Sequence, residues 1–147
     1  MPGRLRRFLR LPTAEQRLTA IAIVTVAAAR LALWTLPFPL ARGTVARLGG
    51  RGRRPARLSS HMPVTIARAV TRASRVVPRA SCLVQALAAS ALLERAGHVA
   101  SVRIGVARDG RRGFEAHAWV ESGGRVVVGD VELDRFTPLL ALGNDVQ

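Results

Sequence analysis

Cys82, His117 and Asp130 are the residues of this chain best suited to covalent chemistry. Cys82 is the only cysteine, and it opens the apolar run Cys-Leu-Val-Gln-Ala-Leu-Ala-Ala-Ser-Ala-Leu-Leu. His117 follows 35 residues later, inside Phe-Glu-Ala-His-Ala-Trp-Val-Glu, and Asp130 closes Gly-Arg-Val-Val-Val-Gly-Asp. A thiol attacks a carbonyl only as its thiolate. The start of a helix offers such an anion free N–H groups and the positive end of the helix dipole. A histidine first takes the thiol proton and later delivers it to the leaving amine. A third group, an acid or an amide, holds the imidazole in the right tautomer and orientation. Against this stands a plainer alternative. A lone cysteine in an apolar helix is usually a small buried hydrophobe, and a lone histidine in a strand is usually structural. The chemistry therefore depends on elements that bring the three residues together.

The local sequence supplies such elements. Ser81 is a natural N-cap, and Cys82–Ala96 reads as a helix apolar almost all round, hence buried, with Gly97 just past its end. Val99–Ala107 alternates, with Val102, Ile104 and Val106 on one face. Asp109-Gly110 with Arg111-Arg112-Gly113 makes a turn, Phe114–Glu121 is the next strand, Ser122-Gly123-Gly124 a hairpin turn, and Arg125–Gly129 a third strand. On this ladder His117 and Asp130 are near neighbours. Alternation puts Glu115, His117, Trp119 and Glu121 on one face, and Phe114, Ala116, Ala118 and Val120 on a core face. The backbone N–H of Cys82 is a candidate oxyanion donor, with the Gln85 side chain as a second. His61 and His98 have no partner at metal-ligand spacing, and neither a metal nor a cofactor is expected.

The N-terminal half has a different character. The chain has 147 residues, 49% of them hydrophobic, enough for a packed core. Its net charge is +14, and all 23 basic residues are arginines. Residues 1–80 hold 16 of these arginines and one acid, Glu15, whereas residues 81–147 hold seven arginines and eight acids. That asymmetry points to an anionic partner. Residues 1–11 read as a loose basic segment. Thr13-Ala-Glu-Gln16 reads as a capping box opening a helix through Leu18–Trp34 that must stop near Pro37. The run imitates a secretory signal, but Arg30 interrupts it and the apolar residues continue beyond. A buried or membrane-leaning helix is expected, so residues 18–36 are a candidate membrane contact of an otherwise cytoplasmic protein. Pro39–Leu48 is a short helix closed by Gly49-Gly50. The cationic linker after it has no aromatic residue for base stacking, so nucleic acid is not expected. Pro63–Val77 buries Ile66, Ala69, Val70, Ala73 and Val77 and turns Arg68, Arg72, Arg75 and then Arg79 outward. Such an arginine stripe is usually a solvated face; so close to Cys82 it is also a candidate substrate-binding or partner-binding surface, as is Trp119. In the tail, Phe136, Leu139, Leu140 and Leu142 are expected to pack back. The fold class is α+β, with helices first and then a small antiparallel sheet packed on the cysteine helix. Residues 1–60 are read as a basic helical extension and linker, and residues 61–147 as the core.

Cys82-Leu-Val-Gln-Ala-Leu-Ala, Leu92-Leu-Glu-Arg-Ala-Gly97, Val102-Arg-Ile-Gly-Val106, His117-Ala-Trp-Val-Glu121 and Gly124-Arg-Val-Val-Val-Gly-Asp130 together resemble the transglutaminase-like cysteine proteases of lasso-peptide biosynthesis. The resemblance covers roughly residues 62–140 and implies a papain/transglutaminase-like core. It also implies removal of the leader from a ribosomally made precursor peptide, as the stand-alone protease of a split system. The implied partners are the precursor's leader region, a separate leader-binding recognition protein and an ATP-dependent lasso cyclase. Cys82 carries over as nucleophile, His117 as base and acid, and Asp130 as the orienting acid. The extra valine in Val126-Val-Val128 departs from the family's shorter segment, which leaves Glu132 and Asp134 as alternatives to Asp130. Two rival functions remain: acyl transfer or deamidation on the same scaffold, and a non-enzymatic arginine-rich protein that binds nucleic acid or anionic membrane.

Overall fold

The computed structural model describes residues 2–48 and 62–143. Gly49-Gly50, the Gly/Arg linker, His61 and the chain end after residue 143 lie outside them. The basic N-terminus is helical rather than loose: α1 spans Pro2–Leu9. Proline suits a first helical position, and Leu5, Phe8 and Leu9 fall on one side at helical spacing. The expected capping box is replaced by a different contact. Thr13 already lies within α2 (Thr13–Thr35), whose N-cap is Pro12 without a side-chain bond. Gln16 Nε2 instead donates to the carbonyls of Leu9 and Leu11, at 3.2 and 2.9 Å. The Leu9 carbonyl is one that the end of α1 leaves without a helical partner, and Leu11 lies in the bend between α1 and α2.

α2 ends before Pro37 as expected, and α3 follows over Phe38–Leu48. Thr19, Ala22, Thr25, Val26, Ala29 and Ala32 form the buried stripe of α2. It packs on α3, on α4 (Met62–Ser74) and on α5 (Cys82–Arg95). Val24, Leu31 and Trp34 on α2 stay exposed. α2 is long and apolar enough to cross a membrane, by length and composition only; in this fold one stripe of it is core. α4 buries Ile66, Ala69, Val70 and Ala73, and Arg72 ties it to α2 through Glu15 at 3.1 Å. It ends at Ser74, three residues short of the expected Val77.

The sheet has four strands in the order β3-β2-β1-β4, all antiparallel: β1 Ser101–Asp109, β2 Gly113–Ser122, β3 Arg125–Val128 and β4 Thr137–Gly143. β4, drawn from the tail, was not expected as a strand. Pro138 rules out a helix there but is compatible with an edge strand, and β4 is one of the two edges. Leu139 and Leu140 are consequently exposed, while Phe136 is buried. Phe114 and Ala116 are exposed too, against their expected core placement; burial on β2 begins only after the first four residues. A three-residue 3-10 turn, Leu133–Arg135, leads into β4.

One buried cluster runs from Ala22 on α2 through Val45 on α3, Ile66 on α4 and Leu93 on α5 to Val102 on β1, Val120 on β2 and Val128 on β3. The division at residue 60 is therefore not a division of the packing: α2 and α3 belong to the same core as the sheet. Ile66 is 1% exposed at the centre of this cluster. Ile66→Val, which removes one buried methylene, is expected to cost about 1 kcal/mol. In a chain of this length that lowers the melting temperature by about 3 °C, readable by circular dichroism.

Candidate active site

Cys82 is the first residue of α5. Ser81 caps the helix, its Oγ accepting from Val84 N at 3.4 Å. The amides of Cys82 and Leu83 make no hydrogen bond among the described residues. Two N–H groups thus remain open beside a half-buried thiol. Gln85, considered above as a second oxyanion donor, is engaged elsewhere: its Nε2 donates to the Ala80 carbonyl at 3.0 Å. That bond braces the turn before the cysteine, where Arg79 takes a left-handed φ of 57°.

His117 lies on β2, opposite Gly105 of β1. Its ring is packed by Trp119, stacked at 6.2 Å between centroids, and by Phe136 at 5.1 Å. Its Nε2 is 2.8 Å from the carbonyl oxygen of Gly129. A carbonyl only accepts, so Nε2 carries a proton and donates, which in the neutral ring leaves the lone pair on Nδ1. That is the tautomer a general base needs at Nδ1. Both glycines make room for this arrangement. A Cβ on Gly105 would lie 3.0 Å from the Trp119 ring, and one on Gly129 would lie 2.8 Å from the Ala118 carbonyl oxygen.

The acceptor on His117 is therefore a backbone carbonyl rather than the Asp130 carboxylate. The cause is visible in the pairing of β2 with β3. Glu121 pairs with Val126 but Val120 pairs with Val128, so Val127 has no partner and the register shifts there. This is how the extra valine is accommodated. The strand ends at Val128 rather than Gly129, and Gly129 turns the chain with φ 85°. Asp130 follows, exposed, with no hydrogen bond or ion pair among the described residues. Glu132 is held at 2.6 Å by Arg135, which also approaches Glu115 at 3.6 Å. The Arg135 guanidinium is held above its ordinary pKa, first by the Glu132 hydrogen bond and charge. Asp134 is exposed in the 3-10 turn.

Trp119, proposed above as a surface for substrate or partner, is only 4% exposed. It forms a second small core with Ala107 and Phe136, and its Nε1 donates to Glu121 at 3.0 Å. Glu121 is bound in turn by Arg103 at 3.2 Å. Trp119 therefore packs behind His117 rather than offering a surface. Arg68, Arg75 and Arg79 are exposed, whereas Arg72 is committed to Glu15. α5 packs against β2, the strand that carries His117. Cys82 sits against the main core, while the His117 ring lies with Trp119 and Phe136 in the second cluster. No hydrogen bond joins Sγ to the imidazole among the described residues. Three contacts escaped the sequence: the Gly129 carbonyl on His117, the Phe136 ring against His117 and the Glu121 carboxylate on Trp119. A glycine after three valines is a signal for positive φ; a carbonyl acceptor has no side-chain signature.

The profile of the transglutaminase-like superfamily matches residues 12–141. Comparisons with curated proteins and with solved structures each give no match.

Proposed function

Because the chain belongs to the transglutaminase-like superfamily, where cysteine-protease and acyltransferase activities are common, we propose that it is a cysteine peptidase that removes the leader from a ribosomally made lasso-peptide precursor. The observation that carries the catalytic part is that two packed elements each present a prepared group: α5 a thiol at its capped start, and β2 an imidazole whose Nε2–H is committed to Gly129. The substrate part rests on the strings around Cys82, His117 and Asp130 and their resemblance to the lasso-peptide leader peptidases.

In this proposal His117 Nδ1 comes within hydrogen-bond reach of Cys82 Sγ in the substrate complex and takes its proton. The thiolate adds to the scissile carbonyl carbon, and the carbonyl π pair moves to oxygen. The free amides of Cys82 and Leu83 bind that oxyanion in this reading. Collapse breaks the C–N bond, and the Nδ1 proton goes to the leaving amine. Water, deprotonated by the same nitrogen, then hydrolyses the thioester and releases the thiol. Throughout, the Gly129 carbonyl holds Nε2–H and so keeps the ring oriented. Asp130, next in sequence, contributes negative charge near the imidazolium rather than the orienting bond. A separate leader-binding protein presents the precursor, and an ATP-dependent cyclase uses the freed core.

Incubating the protein with precursor and leader-binding partner, followed by intact-mass analysis, tests this. The expected products are two fragments whose summed mass exceeds the precursor by one water. Products carrying an added amine in place of ammonia point instead to acyl transfer. A precursor of unchanged mass under these conditions, with an amine supplied, counts against both.

A further inference from the structure

A groove of about 350 Å3 lies between α4 and β3. One wall carries Arg68, Arg72 and Arg75 with Val64, and the other carries Val126 and Val127. Two properties mark it as more than a surface depression. First, β3 is an edge of the sheet. Apart from its ladder to β2, Arg125–Val128 makes no backbone hydrogen bond among the described residues. An open strand edge of this kind is a template for another extended chain. Second, the cations opposite it are available. Arg72 is neutralised by Glu15, but Arg68 and Arg75 are exposed and form no ion pair among the described residues.

The groove also has a direction relative to the chemistry. Its helical wall runs through Arg75–Ala80 into the Ser81 cap and Cys82. Its strand wall runs from Val128 straight into Gly129, whose carbonyl holds His117. Both walls are thus continuous in sequence with the two residues of the proposed chemistry. A segment lying in the groove would belong to the molecule being cut, with its scissile bond beyond the groove's end.

We propose that this groove binds an extended acidic segment of the peptide substrate, which adds as a strand to the outer edge of β3 and sets its carboxylates against Arg68 and Arg75. Apolar side chains of the segment rest on Val64, Val126 and Val127. The peptidase reading supplies only the identity of the occupant; the groove's chemistry stands apart from it.

The test uses the full-length Cys82→Ala protein, which removes turnover, and a short fluorescein-labelled peptide of alternating glutamate and valine, read by anisotropy near physiological salt. Arg68→Glu/Arg75→Glu is expected to weaken binding by about tenfold, because two ion pairs are lost and two repulsions gained. The control Arg111→Glu/Arg112→Glu removes the same charge from the exposed β1–β2 turn and should change affinity by less than about twofold. N-methylation of alternate peptide amides should abolish binding, since a strand addition needs those donors. Equal losses in the two variants would show a general polyanion effect and overturn the proposal, as would indifference to N-methylation. Groove binding in Cys82→Ala, together with a parent protein that leaves the precursor unhydrolysed, would keep the site and remove the peptidase assignment.

Discussion

Cys82→Ala is expected to lower kcat/KM for precursor cleavage by at least about 10^4-fold, with the fold intact. Alanine is the best helix former, Cys82 sits at the half-buried first position of α5, and the Ser81 cap does not use the thiol. Thermal stability should therefore stay within about 1 kcal/mol of the parent. The whole loss then belongs to chemistry, since nothing else at the helix start can form the acyl intermediate. His117→Ala should cost a similar factor, and the double variant little more than either single one, because the thiol and the imidazole act as one device. This non-additivity distinguishes a nucleophile–base pair from two independent structural residues, whose effects would multiply. Asp130→Asn serves as the contrast. With Nε2 already held by Gly129, the carboxamide should retain activity within about tenfold, whereas an orienting carboxylate would cost far more. Full activity in Cys82→Ala, measured by chromatography of the cleaved peptide, would end the peptidase assignment.

The parts of this fold that were legible in the sequence are those with a period. Ile66, Ala69, Val70 and Ala73 repeat at helical spacing, and the structure buries all four. Ser81 before an apolar run marked the start of α5, and its Oγ does accept from Val84 N. Ala118 and Val120 alternate with His117 and Trp119, and the structure separates them into two clusters. Where the period fails, so does the inference. Val126-Val-Val128 consists of identical residues, so alternation cannot say which one is unpaired, and a one-residue slip reverses every face beyond it. α1 looked like a charged tail because its arginines dominate its composition; its helix end is tied by Gln16, a residue on the next element. β4 pairs with β1 across more than 30 residues of chain, a partnership that no local pattern in Thr137–Gly143 announces. Trp119 illustrates a subtler limit. The sequence placed it correctly beside His117 on one face, but only the return of Phe136 over that face decides that it is buried rather than offered to a ligand.

The same physics makes Gly129 the most sensitive backbone position near the site. Its φ of 85° is one that an L side chain rarely adopts, and a Cβ there would stand 2.8 Å from the Ala118 carbonyl oxygen. The first effect costs about 1–2 kcal/mol, and the forced shift of packed backbone about 1–3 more. Gly129→Ala should therefore destabilise the protein by about 3 kcal/mol, a large part of the 5–15 kcal/mol typical of a domain. Gly123 separates the two terms. It has φ 59°, but a Cβ there would meet nothing within 4 Å, so Gly123→Ala should lose only the backbone part, about 1 kcal/mol. Urea denaturation of the two variants gives the difference directly. Activity gives a second contrast. Relief of the clash must move Gly129 away from Ala118, and the carbonyl that holds His117 moves with it. Gly129→Ala should thus lose more activity than its unfolded fraction explains, measured at a temperature where it remains folded. Gly123→Ala, at the far end of the hairpin, should keep its activity per folded molecule. Equal stability losses at the two glycines would show that the close approach to Ala118 carries no energy. A Gly129→Ala protein with full activity per folded molecule would show that the carbonyl does not hold the imidazole during turnover.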